Sequence, residues 1–169
     1  MDGTGTDASS RVTEAIQNLA ADVHGLSRRL HPSMLHDLGL ASVIESECRE
    51  TSKRTGLATQ VHLCEPMPEM SDDVRMTLFR IFQESMRNVE KHSRAASVEI
   101  LLEPVDAHWI VLRVTDTGRG FDPGRRNGGL GLVSMRERAR LVGGRLQIKS
   151  RLDHGTSVEV RAPCRQPSR

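Results

Sequence analysis

The chain has 169 residues, enough for one domain with a sizeable core plus a helical appendage but tight for two full domains. Its 24 basic and 22 acidic residues leave a formal charge of +2, which gives no argument for nucleic acid, and one Trp, three Phe and no Tyr exclude a base-stacking platform for single strands. Cys48, Cys64 and Cys164 are far apart, so they form neither a disulfide framework nor a C-x-x-C metal pattern; a reducing, cytoplasmic setting is expected, with no membrane span or signal peptide in this chain.

Residues 1–10 have no apolar side chain after Met1 and are expected to be a disordered lead. From Val12, apolar residues recur at Ile16, Leu19, Val23, Leu26 and Leu30, a heptad pattern with a narrow seam. Such a seam suits a coiled coil or helical bundle, with a second copy as the expected partner; an amphipathic helix packed on its own domain is the alternative. Pro32 ends or kinks that helix.

A second helical pattern runs from Leu40 to about Gly56, and LATQVHLCE then alternates like a strand. PMPEMSDD is turn-rich. Ser71 supplies an N-cap and Asp72 and Asp73 first-turn acids for a long helix to about His92. ASVEILLEP and HWIVLRVTD form a β pair around a short turn, and GRLQIKS and SVEVRAP form another around RLDHGT. Between the pairs lie a glycine-rich loop and a helix from about Leu132 to Val142. This order indicates an α+β fold, a two-layer sandwich of helices on a mixed, mostly antiparallel sheet.

Four stretches bear on chemistry. In FRIFQESMRNVEKH, residues Glu84, Asn88, Lys91 and His92 fall at helical spacing and form a polar stripe opposite an apolar face. That stripe is either a solvated face or the wall of a pocket. In a pocket, Asn88 would offer an oxygen to a hard cation, Glu84 would orient or deprotonate an incoming group, and Lys91 would reach phosphate.

RVTDTGRGFDP places Asp116 at a strand end, followed by Gly118 and Gly120, which allow close backbone approach; it reads equally as a tight turn. NGGLGLVSMRERARL puts Gly128, Gly129 and Gly131 at a helix N-terminus, where free N–H groups favour an anion, although the pattern is neither a Walker loop nor a dinucleotide fingerprint. Gly155 and Thr156 in DHGTSVEV read on their own as a hairpin turn.

Taken in order, E-x-x-x-N on a helix, D-x-G-x-G, G-L-G-L opening a helix and G-T before the last strand resemble the ATP-binding domain shared by gyrase, a heat-shock chaperone, sensor histidine kinases and a mismatch-repair ATPase. The wording is most similar to histidine kinases of the nitrate-sensor type and covers about residues 57–163. The resemblance implies the Bergerat-type ATP-binding fold, with ATP and Mg2+ as cofactors. It implies that Asn88 coordinates magnesium, that Glu84 is the catalytic or polarising carboxylate, and that Asp116 accepts a hydrogen bond from the adenine amino group. Gly118 and Gly120 would shape the adenine side. FDPGRRNGG would be a short lid, with Gly129, Leu130, Gly131 and Leu132 at its far hinge, and Thr156 would add a hydroxyl near adenine. Lys91 and His92 match the family pattern as further ATP-binding residues.

The stretch RRLHPSMLHDLGL contains His31 and His36, and His36-Asp37 imitates a phosphoryl acceptor. Pro32 makes one continuous helix through it unexpected, and no second bundle helix follows. LSRRLHPSMLHDLGL instead resembles the exit of the second helix of a dimerisation hairpin. The expectation is therefore a lead at 1–10, a remnant of a dimerisation domain at 11–36, a catalytic domain at 37–163 and a tail at 164–169. The acceptor helix would be absent from this chain. A homodimer through the N-terminal helix and a response-regulator receiver domain are the expected partners. Nucleic acid is not expected, and a membrane only through a sensor part outside this chain. The alternatives are an ATP-dependent anti-sigma-factor-like switch or serine kinase, and a self-contained kinase with His36 as acceptor.

Overall fold

The computed structural model describes residues 32–122 and 130–165. The heptad region with His31, most of the expected lid with Gly128 and Gly129, and residues 166–169 lie outside the described residues. The described residues from Leu35 onward belong to one compact unit, Leu35–Arg169.

The elements in chain order are α1 (Pro32–Thr55), β1 (Ala58–Leu63), α2 (Asp72–Asn88) with a π turn (Val89–Ser93), β2 (Ser97–Pro104), β3 (Trp109–Asp116), α3 (Leu130–Leu141), β4 (Arg145–Ser150) and β5 (Thr156–Pro163). The sheet has five strands in the order β1-β2-β3-β5-β4. Strand β1 runs parallel to β2 and every other pair is antiparallel. This is the expected mixed, mostly antiparallel α+β arrangement.

Helix α1 starts earlier than its apolar pattern suggests. Pro32 is its first residue, where a missing N–H costs nothing and the fixed φ suits a helix start. A break follows at Gly39, with φ 78° and ψ 159°, a conformation glycine adopts without a Cβ penalty. Beyond the break, Leu40, Val43, Ile44 and Cys48 are buried at helical spacing.

Helix α2 begins as its sequence dictates. Ser71 Oγ accepts from the Val74 backbone N–H at 3.3 Å, and Asp72 and Asp73 stand in the first turn. Its buried residues Val74, Leu78, Ile81, Phe82 and Met86 form one broad face. That face meets the inward row of the sheet, Val98, Ile100 and Leu102 on β2, Ile110, Leu112 and Val114 on β3, and Val158, Val160 and Ala162 on β5, all buried in one core. Helix α3 runs over Leu130–Leu141, two residues ahead of its expected start, and adds Met135 and Ala139 to that core.

The long helix expected to reach His92 is α-helical only to Asn88; the last turn widens to the π form. Ser93 Oγ bonds back to the Val89 carbonyl at 2.9 Å, and Arg94 leaves the turn in the left-handed region with φ 56°. Arg54 at the end of α1 donates to both Glu90 carboxylate oxygens at 3.0 Å and ties the two helix ends together.

Candidate functional site

One end of the sheet carries the site, and its cause is a break in the alternation. Along β3 the inward positions Ile110, Leu112 and Val114 are apolar, and the next inward position is Asp116. An acid thus occupies a core register, only 6% exposed. Burial pushes its carboxyl above the usual 3.8, while backbone N–H groups of Gly118 and Thr156 pull the other way. Gly118 N–H donates to Asp116 Oδ1 at 2.8 Å. A carboxylate kept in an apolar register at a stability cost, half-satisfied by backbone donors, is suited to accepting a further hydrogen bond from a ligand.

The D-x-G-x-G glycines are there because other backbone is. A Cβ on Gly118 would meet the Ser93 carbonyl at the end of the π turn, and one on Gly120, whose φ is +56°, would meet the Arg151 carbonyl. A Cβ on Gly155, φ +74°, would meet the Asp116 carbonyl. Arg119 N–H donates to the Ser93 carbonyl at 2.8 Å, and Asp153 N–H to the Arg119 carbonyl at 2.7 Å. The loop after β3 is therefore clamped between the π turn and the β4–β5 turn, so the motif is more than a bare turn.

Thr156 lies beside Asp116 in the β3–β5 register. Its hydroxyl lies 2.9 Å from Ser150 Oγ, a residue that the motifs did not single out.

On the helical side, Glu84 and Asn88 share one face of α2 and are half-buried. A Cβ on Gly131 would collide with Glu84 Oε1, so the carboxylate sits against the first turn of α3. A negative group there is favoured by the helix dipole. Asn88 ends α2 and makes no side-chain capping bond. Lys91 and His92 are exposed in the π turn. Because a π turn advances by a smaller angle per residue than an α-helix, the two are rotated away from the straight stripe expected with Glu84 and Asn88. Leu130 is 90% exposed and Leu132 half-buried at the start of α3.

Among the described residues no group of three or more His, Cys, Asp or Glu could hold a metal ion. Half-buried Asn88 offers one amide oxygen, and a magnesium ion bound through so few protein donors takes its other ligands from phosphate and water. Among the same residues no helix is long and apolar enough to cross a membrane.

The family described as histidine kinase-, DNA gyrase B-, and HSP90-like ATPase matches residues 73–166. The oxygen sensor histidine kinase NreB of Staphylococcus carnosus is 33% identical over 159 residues, 93% of this chain and 46% of that protein. The signal transduction histidine-protein kinase/phosphatase UhpB of Salmonella typhimurium is 35% identical over 166 residues, 97% of this chain and 33% of that protein. This chain thus spans less than half the length of either relative. The histidine kinase domain of the Erythrobacter litoralis EL346 blue-light activated histidine kinase superposes with a TM-score of 0.68 at 16% identity, covering 91% of this chain and 84% of that one, which shows a shared fold.

Proposed function

The chain belongs to the histidine kinase-, DNA gyrase B-, and HSP90-like ATPase family, and on that premise we propose that it is the ATP-binding catalytic part of a two-component sensor histidine kinase. It would transfer the γ-phosphoryl group of ATP to a histidine on a dimerisation domain, for relay to a response-regulator receiver domain. The observation that carries this reading is Asp116, a buried carboxylate in a core register whose flanking glycines leave room only for backbone.

Asp116 would accept from the adenine amino group, with Gly118 and Gly120 forming the adenine side and Thr156 standing next to it. Gly129, Leu130, Gly131 and Leu132 would meet the phosphates at the start of α3, where free N–H groups favour anions. Lys91 and His92 would flank the phosphates from the π turn. Magnesium, held by the Asn88 amide oxygen, would supply charge neutralisation across the triphosphate. Glu84 would orient the incoming imidazole and take its proton as the N–P bond forms and ADP departs. Phosphoryl transfer needs this positioning more than covalent chemistry by the protein.

In this reading residues 11–36 are a remnant of the dimerisation domain, through which a homodimer forms, and 37–163 are the catalytic domain of a cytoplasmic kinase. His31 and His36 would have a structural or capping role and not accept the phosphoryl group. The fragment would phosphorylate a supplied dimerisation domain in trans and not itself.

Calorimetry with a non-hydrolysable ATP analogue tests the site. Magnesium-dependent binding is expected in the wild type, and Asn88→Ala is expected to lose its magnesium-dependent part. Binding that is indifferent to magnesium in both proteins would refute the role of Asn88. Radiolabel appearing on His36 would overturn the fragment reading, because the chain would then be its own substrate.

A further inference from the structure

Val98, Asp116, Thr156 and Ser150 lie in one cross-strand row from β2 to β4. Directly opposed residues project to the same side of a sheet, so Ser150 shares the side of Asp116 and Thr156. Its hydroxyl has three neighbours. Phe121 N–H donates to it at 2.9 Å, it donates to the Gly155 carbonyl at 3.1 Å, and Thr156 Oγ1 lies 2.9 Å away.

On distance alone either oxygen could donate in the third contact, and counting protons assigns the one direction in which all three bonds form together. A hydroxyl has one proton and two lone pairs. The Phe121 N–H can only donate and the Gly155 carbonyl can only accept. Ser150 therefore gives its proton to Gly155, uses one lone pair on Phe121, and has only a lone pair left for Thr156. With the Ser150 proton on Gly155, the shared proton comes from Thr156. Thr156 then presents nothing but lone pairs to a ligand, and so does ionised Asp116 beside it.

We propose that Ser150 is a positioning residue that fixes Thr156 as an obligate hydrogen-bond acceptor next to Asp116, so that the site selects a nucleotide whose base edge donates through an exocyclic amino group. This rests on reading the site as a nucleotide pocket. Ser150 acts through Thr156. The same hydroxyl holds Phe121, where the chain leaves D-x-G-x-G, against the β4–β5 turn, so one side chain sets both the pocket edge and the loop beside it.

The test compares ATP with purine riboside triphosphate, which lacks the amino group but keeps the ring nitrogens, sugar and phosphates. Affinities for both are measured by calorimetry on wild type, Ser150→Ala, Ser150→Thr and Thr156→Val. In Ser150→Ala the Thr156 hydroxyl is free to turn and donate to a ring nitrogen, so the preference for ATP is expected to fall roughly two- to tenfold. Thr156→Val removes the acceptor and should lower the preference to a similar extent, and Ser150→Thr keeps the hydroxyl and should hold the wild-type ratio.

A general loosening of the turn would weaken both nucleotides alike. An unchanged ratio in Ser150→Ala therefore overturns the proposal, as does a ratio that falls equally in Ser150→Thr. If Ser150→Ala does not fold, an unchanged ratio in Thr156→Val overturns it instead. Asp116→Asn separates the two levels. ATP binding at wild-type strength in that variant refutes the nucleotide pocket, whereas weakened binding with an unmoved ratio in Ser150→Ala refutes only the role of Ser150.

Discussion

Asp116→Asn should separate affinity from stability. In the wild type the carboxylate accepts from Gly118 N–H at 2.8 Å and from the Thr156 backbone, and it would offer a charge-assisted bond to the base. Such a bond is worth ~1.5 to 3 kcal/mol, so the variant should bind an ATP analogue roughly 10- to 150-fold more weakly. Stability should scarcely move, because two effects oppose each other. Asn keeps one oxygen for Gly118 but turns a donor toward a second backbone N–H, a loss of about 1 kcal/mol. It also removes the cost of an ionised group only 6% exposed.

The melting temperatures of the two free proteins should therefore agree within about 4 °C near neutral pH. The pH dependence has a definite sign. The folded pKa of Asp116 is raised, so its contribution to stability is fully present below its usual 3.8 and is lost as pH rises through the folded value. The wild type should accordingly lose ground to Asp116→Asn as pH rises from the acid side. Calorimetric titration and thermal unfolding across pH check both parts. Unchanged nucleotide affinity, or a variant that melts far below wild type, would refute the reasoning.

Gly118→Ala sets a Cβ against the Ser93 carbonyl, which is backbone and cannot step aside; a loss of roughly 1 to 3 kcal/mol in urea unfolding is expected, with nucleotide binding weakened as well. Gly131→Ala meets only the tip of the Glu84 side chain, so it should unfold at nearly the wild-type urea concentration, and a loss as large as that of Gly118→Ala would contradict the contact. Ser71→Ala removes the cap bond to Val74 and should cost about 1 kcal/mol in the same assay. Burial, with Glu47 and Glu45 nearby, pushes the Cys48 thiol up to about 12. Cys48 should resist a thiol reagent at pH 8 until the protein is unfolded, and rapid labelling in the native state would place it elsewhere.

Much of the fold was legible because local rules and tertiary context agree. The two β pairs were marked by turn residues, and Asp106 in the first turn caps the His108 N–H at 2.8 Å as such a residue should. The Ser71 cap followed equally from its place just ahead of Asp72 and Asp73. The start of α1 was harder to read, because Pro32 signals both the end of one helix and the first position of the next, and nothing in its neighbours chooses between them. The π turn was invisible for a different reason. VEKHS has no residue that demands it, and it arises where Ser93 must bring its carbonyl to Gly118 and Arg119. A straight α-helical stripe from Glu84 to His92 was the correct extrapolation of local spacing and failed where a distant loop intervened.

The same distinction governs the site. Glycines in D-x-G-x-G and G-T announce that something approaches, but not what. The approaching groups are the carbonyls of Ser93, Arg151 and Asp116, each from a segment distant in sequence from its glycine. Ser150 illustrates the limit most clearly. Within GRLQIKS it is an ordinary polar residue at a strand end, with a short side chain and no charge to draw notice. Its consequence appears only when β4, β5 and the loop after β3 meet, because Phe121, Gly155 and Thr156 then supply one donor, one acceptor and one hydroxyl to a group with a single proton. Sequence motifs record the residues that would touch the ligand. The direction in which a hydroxyl must point is set one layer behind them, by proton counting across strands that only the fold brings into register.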